Sequence, residues 1–84
     1  MIDPELALTD AENAERIAAD AMIAARTAHY DALAKFGPGI PFDIESYMLL
    51  SELALAHHAA YDAWEEAHKA RNAALAAWLK IVKG

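Results

Sequence analysis

The stretch Lys35-Phe36-Gly37-Pro38-Gly39-Ile40-Pro41-Phe42-Asp43 contains two of the three glycines and two of the three prolines in this 84-residue chain. Glycine and proline interrupt helices, and the long segments on either side contain few such residues. The sequence therefore predicts an all-α antiparallel helical hairpin that forms a single domain over residues 1–84. Its first helix is expected over about residues 10–36, its loop over 37–42 and its second helix over about 43–83.

Capping sequences mark the predicted helix starts. Asp3 precedes Pro4, which suits an N-cap followed by proline in the first turn, and Thr9-Asp10-Ala11-Glu12 matches a capping box. The chain therefore starts its long helix at one of these two points, or residues 1–9 form a separate short helical turn. Asp43 is the predicted N-cap of the second helix.

Alanine dominates the apolar content of the chain. Hydrophobic residues make up 57% of the sequence, and 22 of these 48 residues are alanine. Alanine is the best helix former, but its side chain buries little area. The hydrophobic core of an isolated chain of this size would bury too little area, so the composition favours association.

The alanines recur at alternating steps of three and four on both predicted helices, which is the spacing of a heptad seam. Antiparallel pairing about the loop is expected to place residues whose numbers sum to about 79 side by side. We expect the two stripes to form the inner contact of the hairpin, where small side chains allow close approach of the backbones. The predicted hairpin seam comprises Ala14, Ala18, Ala21, Ala25, Ala28, Ala56, Ala60, Ala63, Ala67 and Ala70.

A bulkier stripe lies one residue further along the second helix, about 100° around its axis. A helix with two apolar seams contacts two neighbours, whereas this chain supplies only one long neighbour. The sequence therefore predicts a homo-oligomer, with a dimer of hairpins forming a four-helix bundle as the first expectation. The predicted interface comprises Leu50, His57, Tyr61, Trp64, His68, Arg71, Leu75, Trp78 and Val82.

Glu65 and His68 have the i, i+3 spacing that di-iron bundles use for their ligands. Glu12 or Glu15 of the first helix is expected nearby, which makes these four residues the metal-site candidates. Glu-x-x-His is a short pattern in a helix rich in both residues, so a polar interface pair is the favoured interpretation, and no cofactor is expected. We interpret His57 and His68 as interface residues that fix the register of the helices.

Charge and motif content argue against several function classes. Thirteen acidic and seven scattered basic residues give a net charge of −6, which disfavours nucleic-acid binding. The chain has no cysteine, no glycine-rich phosphate loop and no G-x-S-x-G elbow, so no catalytic activity is expected. Without a signal-peptide pattern or an apolar run long enough for a bilayer, the sequence predicts a soluble cytoplasmic protein with no membrane partner.

Local signals and the heptad pattern agree along the whole chain. In its Asp3-Pro4 start, its Gly37-Pro38 stop and its uninterrupted alanine spacing, the chain resembles a de novo designed α-helical homo-oligomer. The adjacent pair His57-His58 and the few lysines depart from that style. The resemblance implies a protein whose function is to fold and self-assemble.

Two alternative functions remain open at the level of sequence. One is a small acidic adaptor or inhibitor that binds another protein through the aromatic stripe of the second helix. The other is a metal-binding bundle built on Glu65-x-x-His68.

Overall fold

A computed structural model of the chain describes residues 3–36 and 43–83, so the predicted loop over 37–42 lies outside the described residues. Two helices, α1 (Pro4–Lys35) and α2 (Ile44–Lys83), account for nearly all of the described chain. They pack side by side in opposite directions, which confirms the predicted all-α helical hairpin, and the molecule is 62 Å long.

The start of α1 differs from the expected start near residue 10. A side-chain oxygen of Asp3 accepts a hydrogen bond of 2.9 Å from the backbone N–H of Glu5, and Pro4 occupies the first helical position. The helix therefore begins at the earlier of the two predicted points, and residues 4–9 are its first turns. Thr9 makes no cap, because its hydroxyl donates to the carbonyl of Glu5 within the helix.

The start of α2 follows the prediction. A carboxylate oxygen of Asp43 accepts a hydrogen bond of 2.7 Å from the backbone N–H of Ser46. Hydrogen bonds from the side chain and backbone of Ser46 lower the pKa of Asp43 below its ordinary value. The helix then continues for 40 residues without glycine or proline.

The contacts between the helices set a register one heptad away from the expected one. His29 contacts His57, and Glu15 contacts Arg71, so paired residue numbers sum to 86 rather than 79. A shift of seven residues returns every seam position to the seam, so the alanine spacing cannot choose between the two registers. In the observed register, residues 44–49 extend beyond the end of α1.

The contact between the helices consists of a small row and a large row from each helix. His29–His57 and Glu15–Arg71 join the two large rows, and antiparallel packing then places the two small rows opposite each other. The small rows are Ala11, Ala18, Ala25 and Ala32 of α1 and Ala60, Ala67 and Ala74 of α2. The large rows are Leu8, Glu15, Met22 and His29 of α1 and Leu50, His57, Trp64, Arg71 and Trp78 of α2; all are at least partly buried.

This two-helix layer encloses a thin core. Among the described residues only Ala32 and Leu50 are buried, each with 9% of its surface exposed. Thirteen large apolar side chains are exposed, at between 43% and 78% of their surface. Within the described ranges, neither helix has a stretch long and apolar enough to cross a membrane.

Candidate functional site

The predicted alanine seam is divided between the helix contact and an open face. Four of its ten members are partly buried in the small rows, and the prediction is wrong for the other six, which are exposed. Alternate members of a three-four series form two rows about 50° apart, and only one row can face the partner helix. The large rows occupy the second half of the contact because they bury more area and pair their polar groups. The exposed members are Ala14, Ala21, Ala28, Ala56, Ala63 and Ala70.

The predicted interface stripe is also divided, because much of it contacts α1 of the same chain. Leu50, His57, Trp64, Arg71 and Trp78 form the large row of α2, and His68 and Leu75 are partly buried beside it. Only Tyr61 and Val82 are exposed, at 47% and 60% of their surface. His57, His68 and Arg71 therefore belong at least in part to the helix contact, and an interface with a second chain along this stripe stays a prediction.

Two broad faces of the hairpin remain uncovered by the chain itself. On each helix, the residues that come directly after the small-row positions form a further row. Antiparallel packing places these two further rows on the same side of the hairpin. We call this side the aromatic face: it carries Glu12, Ala19, Arg26 and Leu33 of α1 and Tyr47, Ala54, Tyr61, His68, Leu75 and Val82 of α2. The opposite side, the alanine face, carries the six exposed alanines of the predicted seam.

A polar cluster joins the two helices on the aromatic side of the seam. The Nδ1–H of His68 donates to Oε1 of Glu15 at 3.2 Å, and the Nε–H of Arg71 donates to Oε2 of the same carboxylate. The side-chain amide of Asn72 donates to Nε2 of His68 at 3.3 Å, which assigns the Nδ1-protonated tautomer to His68. The hydrogen bond from His68 lowers the pKa of Glu15 most, the hydrogen bond and the charge of Arg71 lower it further, and partial desolvation opposes the shift.

The four metal-site candidates do not converge on one point. Glu15 and His68 contact each other as expected, but Glu65 lies 3.8 Å from the ammonium of Lys69. Glu12 lines an open depression of about 290 Å³ beside the cluster, together with Glu15 and Arg71. Residues 3–36 and 43–83 contain no group of three or more potential ligands arranged around a common metal position.

A second polar contact, which the sequence pattern did not predict, joins His29 and His57. Their Nδ1 atoms lie 3.3 Å apart, and their rings meet edge to face with centroids 5.5 Å apart. Tyr30 contacts the ring of His57 edge-on at 5.8 Å. The available signal was that His29 follows Glu15 by two heptads and therefore lies on the same row.

His29, one member of this pair, lines an open depression of about 480 Å³ on the aromatic face. Its described lining consists of His29, Tyr47, Leu50, Ser51 and Ala54. The lining is mostly apolar, and the lining side chains that carry polar groups are His29, Tyr47 and Ser51. This depression gives solvent and small solutes a place beside the histidine pair.

No protein-family model matches the chain, and comparison with curated proteins and with solved structures gives no significant match.

Proposed function

We propose that the chain is a self-associating structural protein without catalytic activity, in which two hairpins pack through their aromatic faces into a four-helix bundle. The observation that carries this proposal is the thin core: Ala32 and Leu50 are the only buried residues described, while thirteen large apolar side chains are exposed. Four of these side chains, Leu33, Tyr47, Tyr61 and Val82, lie on the aromatic face, and apolar side chains gathered on one exposed face commonly mark an interaction surface. Burial of these side chains against a second copy would stabilise the complex by about 25 cal/mol for each Å² of apolar surface removed from water.

The size of the hairpin supports a second copy as the occupant. The two helices lie side by side over the length of α1, about 48 Å at 1.5 Å per residue, and the hairpin is 19 Å wide, so one broad face has a footprint of about 900 Å². A stable complex typically buries about 800 Å² on each partner. The second copy offers the same aromatic face, and closed two-fold symmetry needs only one self-complementary surface.

Side-chain size favours the aromatic face over the alanine face. Tyr47 and Tyr61 are exposed two heptads apart on α2, and Leu33 is exposed on α1. Tyrosine is enriched among the residues that dominate interface energetics, whereas an alanine side chain buries little area. The aromatic face therefore gains more from a second copy than the alanine face does.

The test compares Tyr61→Glu with Ala63→Glu. The two residues are both exposed, lie two positions apart on α2 and receive the same added charge, but they lie on opposite faces. We expect sedimentation of the wild type at about 50 µM to give twice the chain mass of 9.1 kDa. Tyr61→Glu should shift the mass to that of one chain, because it places a carboxylate in the apolar interface, whereas Ala63→Glu should remain dimeric.

The reverse pattern, with dissociation only in Ala63→Glu, would move the interface to the alanine face. A wild type that is monomeric at this concentration, with a melting temperature independent of dilution, would refute self-association. It would favour the adaptor function, in which the aromatic face binds a different protein.

A further inference from the structure

The His29–His57 contact places two imidazole nitrogens from different helices side by side. The two Nδ1 atoms are 3.3 Å apart, and both side chains are partly buried in the large rows of the seam. Only one of the two Nδ1 atoms can carry the proton of the hydrogen bond between neutral rings, so the other presents its lone pair. Both rings are held by rigid helices rather than by loops.

The separation of the two nitrogens matches a tetrahedral metal site. Zinc binds imidazole nitrogen at 2.0–2.1 Å, and two such ligands at the tetrahedral angle lie about 3.3–3.4 Å apart. Ligands at a right angle, as in square-planar or octahedral sites, lie about 2.8–3.0 Å apart at the same bond length. The observed 3.3 Å corresponds to the tetrahedral arrangement.

We propose that His29 and His57 bind a zinc ion through their Nδ1 atoms and thereby bridge α1 and α2. On binding, the ring whose Nδ1 carried the proton takes the neutral tautomer with the proton on Nε2, so both Nδ1 lone pairs face the metal. No other described side chain completes a three-ligand group, so water fills the two remaining positions. The depression of about 480 Å³ that His29 lines provides the room for those waters.

The other two histidines do not share this geometry. Nδ1 of His68 donates to Glu15, and its Nε2 accepts from Asn72, so both of its nitrogens have protein partners. His58 is exposed, and its ring stacks on that of His57 with centroids 6.1 Å apart. His58 is therefore the matched control, because it adjoins the site without placing a nitrogen in it.

The experiment is a zinc titration of the full chain at neutral pH, in competition with a chromophoric chelator. We expect one zinc ion per chain, a loss of affinity of about tenfold or more in His29→Ala and in His57→Ala, and a change of less than about twofold in His58→Ala. Zinc should raise the melting temperature of the wild type and of His58→Ala, but not of the other two variants. Absence of saturable binding, or equal losses in all three variants, would overturn the proposal.

A measurement on the wild type keeps the test valid if an alanine variant fails to fold. In ¹⁵N spectra of histidine-labelled protein, zinc should move the Nδ1 resonances of His29 and His57 and leave those of His58 and His68 in place. Shifts confined to Nε2, or to His58 or His68, would overturn the assignment. A ratio of one zinc to two chains would also overturn it, because the proposed site lies within one hairpin.

Discussion

Leu50 and Leu55 provide a matched test of where the hairpin is stabilised. Both lie on α2, but Leu50 has 9% of its surface exposed and Leu55 has 70%. Replacement by alanine removes three carbon atoms, each of which contributes about 0.8 kcal/mol when fully buried. Scaled by burial, Leu50→Ala should cost about 2.2 kcal/mol and Leu55→Ala about 0.7 kcal/mol. For a chain of this length, the melting temperature should fall by about 9–18 °C and about 3–6 °C respectively.

Thermal unfolding followed by circular dichroism, repeated over a range of protein concentrations, measures both decreases. Leu55 lies outside the two seam rows and outside the aromatic face, so the difference between the variants should persist at every concentration. Leu50 is buried within one hairpin, where it lines a depression together with His29 of α1, so the cost of its replacement should not vanish on dilution. A decrease for Leu50→Ala no larger than that for Leu55→Ala would refute the assigned helix contact.

Two further predictions concern the small row and the polar cluster. Ala67 lies partly buried on the small row, so Ala67→Leu should destabilise the hairpin by about 1–3 kcal/mol in chemical unfolding, whereas Ala63→Leu on the open face should change stability by less than about 0.5 kcal/mol. Because its partners lower the pKa of Glu15, its carboxylate stabilises the fold above its ordinary pKa of 4.5, and this contribution is lost as the pH falls through the lowered folded-state pKa. Glu15→Gln should therefore have a lower free energy of unfolding than the wild type at neutral pH, and the difference should shrink on acidification. Urea unfolding curves recorded at several pH values measure this difference, and a difference that stays the same at every pH would contradict the prediction.

The parts of the fold that local chemistry determines could be read from the sequence. Asp3-Pro4 and Asp43 cap the helices where such residues are expected, and the segment between the helices is marked by its glycines and prolines. The start of α1 required a choice between two capping sequences. The hydroxyl of Thr9 is satisfied inside the helix, so the second sequence does not interrupt it.

The division of the alanines could not be read from the sequence in the same way. Every member of the stripe has the same side chain, and rows about 50° apart differ only in what they face across the contact. Ala67 faces α1 while Ala63 does not, because the large row with Trp64 and Arg71 occupies the other half of the seam. The His29–His57 contact was missed for a related reason, since the expected register pairs His29 with Leu50.

The polar residues of the large rows distinguish registers that the alanines cannot. Sliding the helices by one heptad toward the register that sums to 79 keeps alanine opposite alanine, but it places Glu15 beside Trp64 and Arg71 beside Leu8. Each charge would then be partly buried without its partner, at a cost greater than the modest net gain from the pair itself. In the observed register Glu15 instead receives hydrogen bonds from both His68 and Arg71. The polar cluster therefore acts on specificity: it makes the alternative heptad registers unfavourable, and the alanine rows supply the close packing that any of those registers would share.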